Sequence, residues 1–420
     1  MDDYTRRAEQ AKGAKRPVSA RSLRGLDWFV FFVADVQTGF GPFIAVYLTS
    51  QKWTQVDIGL VLTVCGLISL FGQIPGGALL DAVKSPRLAA AIAIILVGIS
   101  ALILAWWPNY PAVLASRVLQ AGASCVLGPA IAALSLGLVA RSRVSRRLGR
   151  NAAFASIGTG LAAAAMGACG YYISNQSVFF VTAALALPAF FAVLTIRSVE
   201  IDSGHAHGGM PQKFPSFRQT LAYAFGNRAI FVFAACVFLF HLSNAAVLPL
   251  IASTMTQRAS QSAALMIAIA MVVPQLLVAI FSPLVGRSSE TWGRRPLLLL
   301  GFAALFVRIA LIASVSSLFA VVGVQVFDCV SAAVLGVLVP LCVADLTRGT
   351  GHFNLMQGII GCAMGLGASI STVLAGYLSD RFSTFVALVA LDGVAAIALL
   401  TLWTLMPETR VFGHGQPATS

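Results

Sequence analysis

Six ionisable side chains lie inside long apolar stretches of this 420-residue chain: Asp35, Arg117, His241, Arg308, Asp328 and Asp392. A charge at the centre of a bilayer costs about 2.5–3.5 kcal/mol on insertion scales, so such residues face a bundle interior or a water-filled cavity. There they pair with one another, carry protons or contact a polar solute. These six residues are therefore the best guide to the chemistry of the chain.

Asp35 precedes the helix-weakening residues Gly39 and Pro42, and it shares a helix face with Thr38 at i, i+3 spacing. Interrupted membrane helices expose backbone groups to a substrate. A carboxyl group in an apolar setting can take up and release a proton near neutral pH. We interpret Asp35 as a proton carrier or a substrate contact. An ion pair between Asp35 and Arg117 that breaks and reforms would act as the proton switch. A permanent structural ion pair is the alternative.

Polar residues three positions apart recur in other apolar stretches, and this spacing puts both side chains on one helix face. Arg117 is followed in this way by Gln120, and Gln325 by Asp328. Arg117 could bind an anion or tune Asp35, and Asp328 could bind a cationic solute or a second proton. For each of them, an interhelical hydrogen bond is the structural alternative.

His241 and Asn244 form a third pair of this kind, and Asn244 follows Asp35 by 209 residues. Histidine titrates near physiological pH, so His241 is either a proton site or a hydrogen-bonded core residue. Gln73 and Gln275 lie in two further apolar stretches and are weaker candidates for polar contacts with a solute.

Membrane-spanning helices must position these residues, because 58% of the chain is hydrophobic and only 10% is charged. About 20 helical residues cross a ~30 Å hydrocarbon layer, and Ala, Leu, Val and Ile dominate the apolar runs. The pattern predicts an all-α membrane protein with twelve spans. They are 27–49, 58–80, 87–107, 111–139, 151–173, 177–196, 229–254, 262–286, 296–315, 317–346, 354–379 and 383–406.

Basic residues are distributed unevenly between the two sides of these spans. Of the 28 Lys and Arg, 23 fall in the chain ends and in the loops after spans 2, 4, 6, 8 and 10. Only Lys52, Arg258 and Arg381 fall on the other side, and Arg117 and Arg308 lie within spans. The positive-inside rule then predicts a multi-pass protein of the inner (cytoplasmic) membrane with both termini in the cytoplasm. This distribution accounts for the net charge of +13 without nucleic acid as a partner.

No metal or cofactor is expected from the sequence. The seven Cys lie within spans and lack CxxC spacing, which is typical of small packing residues. His205 and His207 form an isolated pair in a polar stretch, which we interpret as a solvated linker.

The chain divides into two halves of six helices, 27–197 and 229–406. A cytoplasmic linker over 198–228 joins them, and tails over 1–26 and 407–420 flank them. Three landmarks recur at near-constant offsets of 206 to 209 residues: Gly77-x-x-x-Asp81 with Gly286-x-x-x-Glu290, Arg117-x-x-Gln120 with Gln325-x-x-Asp328, and Gly170-Tyr171 with Gly376-Tyr377. A 6+6 repeat is a signature of transporters, whose substrate site lies between the repeats near the membrane midplane.

With these motifs the chain resembles the major facilitator superfamily from about residue 25 to residue 408. The stretch from Gly286 to Pro296 is similar to the loop signature of that family, although its copy after span 2 lacks the Gly-Arg-Arg ending. Arg117-x-x-Gln120-x-Gly122 resembles the fourth-helix motif of proton-linked members. The glycines of span 5 are spaced as in the antiporter motif, without its Gly-Pro: Gly158, Gly167 and Gly170.

The resemblance implies that helices 1, 4, 7 and 10 line a cavity, with Arg117 and Asp328 on opposite walls. It also implies a cytoplasmic gate of Asp81, Glu290 and Arg294, in which acids meet helix N-termini and arginines across the interface between halves. A carboxylate beside a helix N-terminus is stabilised by about 0.3–1 kcal/mol. Topogenic loop charge is the alternative role for these residues.

Arg308 and Asp392 are expected to form a structural ion pair outside the pathway. Arg308 lies about 18 Å above the cytoplasmic start of span 9, and Asp392 lies at about 17 Å, counted at the helical rise in a ~30 Å layer. The resemblance implies that helices 9 and 12 are neighbours, so equal depth predicts contact.

The sequence thus predicts a monomeric secondary transporter, not an enzyme, that moves a small organic solute by alternating access with proton coupling. Efflux by antiport is favoured, and proton-linked import is the alternative. A sensor without transport and a membrane-embedded enzyme are alternatives of other classes. No Gly-x-x-x-x-Gly-Lys-Ser/Thr phosphate loop is present, which argues against an ATP-driven pump.

Overall fold

The structure is a computed structural model that describes residues 18–40, 43–83, 85–206, 226–251, 263–315 and 317–410. The described residues form helices and connecting turns, with no strand among them. In chain order the helices are α1 (Ala20–Gly39, resuming over Phe43–Ser50), α2 (Gln55–Ala82), α3 (Pro86–Trp106), α4 (Tyr110–Leu138), α5 (Val144–Tyr172), α6 (Ser177–Thr195), α7 (Arg228–Asn244), α8 (Ala263–Thr291), α9 (Arg295–Ser314), α10 (Leu318–Val324 and Val326–Leu346), α11 (Phe353–Arg381) and α12 (Thr384–Leu405). The predicted all-α class is confirmed.

Eleven helices in the described part of the chain are long and apolar enough to cross a membrane. The first predicted span, 27–49, falls on the two pieces of α1. Much of the predicted linker, the N-terminal tail and the C-terminal tail lies outside the described residues (207–225, 1–17 and 411–420).

Several helices extend beyond the apolar runs that predicted them. α5 begins at Val144 rather than at 151, and α8 continues to Thr291 rather than ending at 286. Polar residues can continue a helix beyond the hydrocarbon layer, because the backbone hydrogen bonds between residues i and i−4 do not depend on apolar side chains. Glu290 and the arginines at the start of α5 are therefore helical residues and not loop residues.

The helices pack into two halves with the same internal pattern. In the first half α1 contacts α5 and α6, and α3 contacts α4 and α6. In the second half α7 contacts α11 and α12, and α9 contacts α10 and α12. One hydrophobic core is built from α1 to α6 and the short segment that follows, and a second core is built mainly from α7 to α12.

The two halves meet along α2 against α11 and along α5 against α8. Four glycines bring these backbones close together. A Cβ atom on Gly77 would lie 2.2 Å from the carbonyl oxygen of Asn354, and one on Gly358 would lie 2.2 Å from that of Gln73. The pseudo-symmetric partners repeat the contact at 2.5 Å: Gly286 with Ser145, and Gly149 with Ser282. All of these positions are related by the 209-residue offset, so the repeat seen in the sequence extends to the contact between halves.

Three helices are interrupted beside polar residues. α1 ends at Gly39, α7 turns after Asn244, and α10 is broken at Gln325. An interruption in a membrane helix frees backbone groups and is tolerated where it is enclosed by protein or lines a cavity. Asp35, Asn244 and Asp328 all lie within four residues of such a break.

Candidate functional site

The loops that follow α2, α4, α8 and α10 lie together at one end of the bundle, as their mutual contacts show. We call this end the basic face. At this face Asp81, at the end of α2, caps the N-terminus of α11 across the interface between the halves. Its carboxylate accepts from the backbone N–H of Leu355 at 2.8 Å, and from the Asn354 backbone at 3.3 Å and side chain at 2.7 Å.

Glu290 makes the matching contact from the second half to the first. Its Oε1 accepts a 2.6 Å hydrogen bond from the hydroxyl of Ser145 in the first turn of α5. Arg146 lies 3.6 Å away and is exposed, so this ion pair contributes little on its own. The two acids therefore contact the starts of α11 and α5, and both contacts join the halves.

Arg294, the third predicted gate residue, stays within the second half. Its Nε donates to Asp345 at 2.9 Å, and its backbone N–H donates to Glu408 at 2.9 Å. Gly293, with a φ of 95°, turns the chain between α8 and α9 and directs Arg294 toward the end of α10. The expectation that this arginine crosses the interface is wrong in this structure.

The sequence reasoning missed a buried network beside the gate. Asp27 of α1 is held by Arg147 and by Arg150 of α5, the latter at 2.7 Å. Arg147 is only 5% exposed and also donates to Asn151 at 2.8 Å. Asn151 in turn donates to the hydroxyl of Ser135 in α4. The i, i+4 pair Arg147 and Asn151 was the available signal, but these arginines were counted as topogenic loop charges.

Alanine at Gly358 is expected to disfavour the closed basic face, because its Cβ would displace the backbone of α2. Spin labels at Arg143→Cys and Arg287→Cys, which are exposed on opposite halves, would report the separation by pulsed electron resonance. Gly358→Ala should lengthen that distance. Gly376→Ala on the same helix is the matched control, since no atom lies within 4 Å of its added Cβ. Equal distances in both variants and the wild type would rule out this role for Gly358.

A cavity of about 110 Å³ lies between the halves at the helix breaks. α5 of the first half forms one wall, and α8, α9 and α10 form most of the other. The lining residues are Thr159, Gly160, Ala163, Leu248, Val272, Gln275, Arg308, Gln325 and Asp328. Gln275, Gln325 and Asp328 therefore meet in one place, together with Arg308.

Arg308 reaches from α9 to hold both helix breaks of the second half. Its Nε donates to Gln325 at 2.7 Å, and its Nη1 donates to Asn244 at 2.7 Å and to Asp328 at 2.6 Å. The Arg308 side chain is 3% exposed, whereas the Asp328 side chain is 30% exposed. Arg308 thus connects α7, α9 and α10 beside the cavity.

The predicted ion pair between Arg308 and Asp392 is wrong. α9 and α12 do pack together, but Arg308 points away from α12 toward the three acceptors on α7 and α10. The Oδ1 atom of Asp392 is buried and has no hydrogen-bond partner. The two helices are neighbours as expected, but the two side chains do not face each other.

In the first half, Asp35 is a buried carboxyl group without an ionic partner in the described part of the chain. The residue is 3% exposed, and its Oδ1 has no hydrogen-bond partner. That oxygen faces α5, where a Cβ added to Gly158 would lie 3.1 Å from it. Close packing of α5 on α1 therefore shields Asp35.

Arg117 lies buried on α4 and makes no ion pair with Asp35 among the described residues. Its Nη1 donates to Gln120 at 2.9 Å, and its guanidinium lies over the Phe40 ring at 5.4 Å. Gln120 continues the chain of hydrogen bonds to Ser124. The Nε of Arg117 is buried without a partner. The structure thus has Asp35 and Arg117 in the unpaired arrangement.

The remaining predicted residues have local roles in this structure. Thr38 donates to the carbonyl of Ala34 at 2.8 Å, and His241 Nδ1 lies 2.9 Å from the carbonyl oxygen of Val237. Gln73 lies at the contact between α2 and α11 rather than in the cavity. In the described residues no group of His, Cys, Asp and Glu could hold a metal ion.

Comparison with known proteins gives a consistent result. The model of a family described as the Major Facilitator Superfamily matches residues 28–240 and 233–419. An uncharacterized MFS-type transporter of Mycobacterium tuberculosis, recorded in strains CDC 1551 / Oshkosh and ATCC 25618 / H37Rv, is 35% identical over 401 residues. The match covers 93% of this chain and 94% of that protein.

Two solved structures share the fold at low sequence identity. The proton:xylose symporter XylE bound to 6-bromo-6-deoxy-D-glucose aligns with a TM-score of 0.70 at 15% identity, covering 93% of this chain and 95% of that one. The human organic anion transporter MFSD10 (TETRAN) aligns with a TM-score of 0.67 at 14% identity, covering 93% and 99%. These alignments match the two-half architecture described above.

Proposed function

We propose that this chain, which belongs to the Major Facilitator Superfamily, couples the movement of a small organic solute to the movement of protons. As a member of that family it is a multi-pass membrane transporter and not an enzyme. The proton is carried by Asp35, and the solute binds between the halves, beside the cavity lined by Gln275, Gln325 and Asp328.

The observation that carries this proposal is the contrast between two carboxyl groups inside the helix bundle, Asp35 and Asp328. Asp328 keeps an arginine at 2.6 Å, so its negative charge is compensated where it lies. Asp35 is 3% exposed, and no ion pair of the described residues includes it. An uncompensated buried carboxylate is costly, so its charge must be balanced by a proton or by a positive side chain. Asp35 is therefore suited to bind a proton in one state of the transport cycle and to release it in another.

The release step is the arrangement in which Arg117 pairs with Asp35. Arg117 has a buried Nε without a partner, and its guanidinium group already lies against Phe40 beside the end of α1. When α1 and α4 move together, the guanidinium group compensates the carboxylate and the proton leaves. In the proposed cycle, the unpaired arrangement is the one in which Asp35 holds its proton.

Alternating access would operate through the contacts at the basic face. Asp81 and Glu290 each join one half to a helix N-terminus of the other, and glycine contacts hold α2 on α11 and α5 on α8. Such contacts break together when the halves rock apart. The cavity would then open to the basic face, which we take to be cytoplasmic.

We favour export by antiport over import. The motif Arg117-x-x-Gln120-x-Gly122 and the α5 glycines, of which Gly158 contacts α1, support this choice. The protein would act as a monomer in the inner membrane. Import with protons remains the second candidate, and the direction of the measured proton flux distinguishes the two.

Purified protein in proteoliposomes, screened against candidate solutes with and without an imposed pH gradient, tests this function. We expect at least one solute to accumulate against its gradient only when the pH gradient is present. A solute that binds but never accumulates would indicate a sensor and would contradict the proposal.

Topology is tested with single cysteines in a background without native cysteines. Ser142→Cys at the basic face should resist an impermeant thiol reagent applied to intact cells, because the basic loops stay inside. Ser174→Cys in the exposed turn after α5 is the positive control and should react. Rapid reaction at Ser142→Cys would reverse the orientation.

A further inference from the structure

We infer that Asp328 forms a subsite for a protonated amine of the solute, with Arg308 as the positioning residue behind it. This inference rests on the proposed function, since it names the chemical class of solute that the cavity takes. It replaces two open possibilities for Asp328 with one.

The first argument is which charged group the cavity presents. Both partners of the ion pair line the cavity, but the Asp328 side chain is 30% exposed and that of Arg308 is 3% exposed. A solute therefore meets the carboxylate, while the guanidinium lies beneath it. An anionic head group would approach the negative end of this pair first.

The second argument is how the donors of Arg308 are used. Two of its three guanidinium nitrogens, Nε and Nη1, already donate to Gln325, Asn244 and Asp328 at 2.6–2.7 Å. Within the carboxylate the Oδ1 atom takes the arginine bond. The geometry leaves the Oδ2 side of Asp328 as the acceptor for a donor in the cavity, and a protonated amine is the strongest such donor.

The third argument is that the charge of Asp328 is held in place. The residue lies in the first turn of the longer piece of α10, which begins after the break at Gln325. A helix N-terminus stabilises a carboxylate there by about 0.3–1 kcal/mol. Arg308 adds a second positive group beside the carboxylate, at 2.6 Å. In this proposal Asp328 binds the solute and Asp35 carries the proton.

The rest of the lining fits the body of an amphiphilic amine. Arg308 is the only cation among the lining residues of this cavity, and Gln275 and Thr159 are neutral. Ala163, Leu248 and Val272 supply apolar surface on the same cavity. A solute with an ammonium group on an apolar body would fit both the carboxylate and the apolar lining. In such pockets the apolar surface holds the body, and the few polar groups fix its orientation.

The test compares three probes of one shape, 2-phenylethylammonium, 2-phenylethanol and 3-phenylpropionate, by thermal unfolding of the purified protein over a concentration series. Ligand that binds only the folded state raises the melting temperature in proportion to ln(1 + [L]/Kd). We expect the amine to bind about tenfold or more tightly than the alcohol or the acid, as a charge-assisted hydrogen bond predicts.

Asp328→Asn should remove the preference for the amine, but it also leaves Arg308 unpaired and could lower stability. The double variant Asp328→Asn with Arg308→Gln keeps a neutral hydrogen-bonded pair and isolates the effect of the carboxylate. It should bind the three probes equally. Asp392→Asn changes a carboxyl group on α12 that also has a buried oxygen without a partner; it is the matched control and should keep the preference.

An amine that binds no better than the acid, or not at all, overturns the inference. So does an amine preference that survives in the double variant. Because this binding needs no proton gradient, it is separable from coupling: Asp35→Asn should still prefer the amine. Loss of coupling with intact amine binding would count against the proposed function alone.

Discussion

Asp35→Asn is expected to abolish proton-driven accumulation of the solute in proteoliposomes and to leave the fold intact. Asparagine has the shape of the protonated carboxyl group and cannot release a proton, so the charge change that drives the cycle is lost. The Oδ1 of Asp35 has no partner to lose, and Gly158 leaves room for a side chain of the same size. Uptake or efflux with and without a pH gradient is the measurement.

Asp392→Asn is the control for this experiment. Asp392 also has a buried oxygen without a partner, but it lies on α12 and does not line the cavity. It should transport at the wild-type level. Uphill transport by Asp35→Asn at the wild-type rate, with unchanged pH dependence, would make Asp35 structural and move the coupling role to Asp328 or His241.

Arg308→Leu is expected to lower the free energy of unfolding by about 2–3 kcal/mol, because the partly exposed Asp328 carboxylate loses its charge-assisted donor. The oxygens of Gln325 and Asn244 lose their donor as well. Chemical denaturation in detergent, with Tm as a second readout, measures the loss. Arg308→Leu combined with Asp328→Leu should recover much of it, since replacing both members of a buried pair is often nearly neutral.

Two double-mutant cycles distinguish the observed pair from the one that sequence reasoning favoured. Arg308→Leu and Asp328→Leu should be strongly non-additive, because the residues are in contact. Arg308→Leu and Asp392→Leu should be additive within about 0.5 kcal/mol. Additivity in the first cycle would mean that the contact of 2.6 Å does not contribute to stability.

The architecture was predictable because it depends on quantities that a sequence carries directly. Apolar run length predicts the spans, and the 209-residue offset predicts which positions are equivalent in the two halves. The family resemblance implied that Asp81 and Glu290 contact helix starts across the interface, and the offset makes the contacts with α11 and α5 equivalent. A helix N-terminus attracts a carboxylate wherever the chain brings them together.

The direction in which each side chain points from its helix was not predictable in the same way. Helical rise gives Arg308 and Asp392 the same expected depth, but depth along a helix does not give rotation about its axis. α9 is apolar on every side, as a helix surrounded by protein and lipid tends to be, so no polar stripe marks the side facing α10. The acceptors on α7 and α10 decide the direction of Arg308, and they are separated from it by 64 and 17 residues.

The break in α10 was invisible for a related reason. Breaks in α1 follow glycine and proline, which weaken helices in any context. Gln325 is flanked by Val324 and Val326, and neither residue demands a break. The interruption is instead compatible with the hydrogen bond from Arg308 to Gln325, which is a tertiary contact. Asp27 was missed likewise, because its partners lie on α5 more than 100 residues away.

The most direct test of the central claim is whether solute flow alone moves protons. Proteoliposomes loaded with a transported solute and an internal pH dye are diluted into solute-free buffer at equal pH. Antiport predicts that the lumen acidifies as solute leaves, and that Asp35→Asn shows no pH change. Solute efflux from the wild-type protein with no change in internal pH would contradict proton coupling.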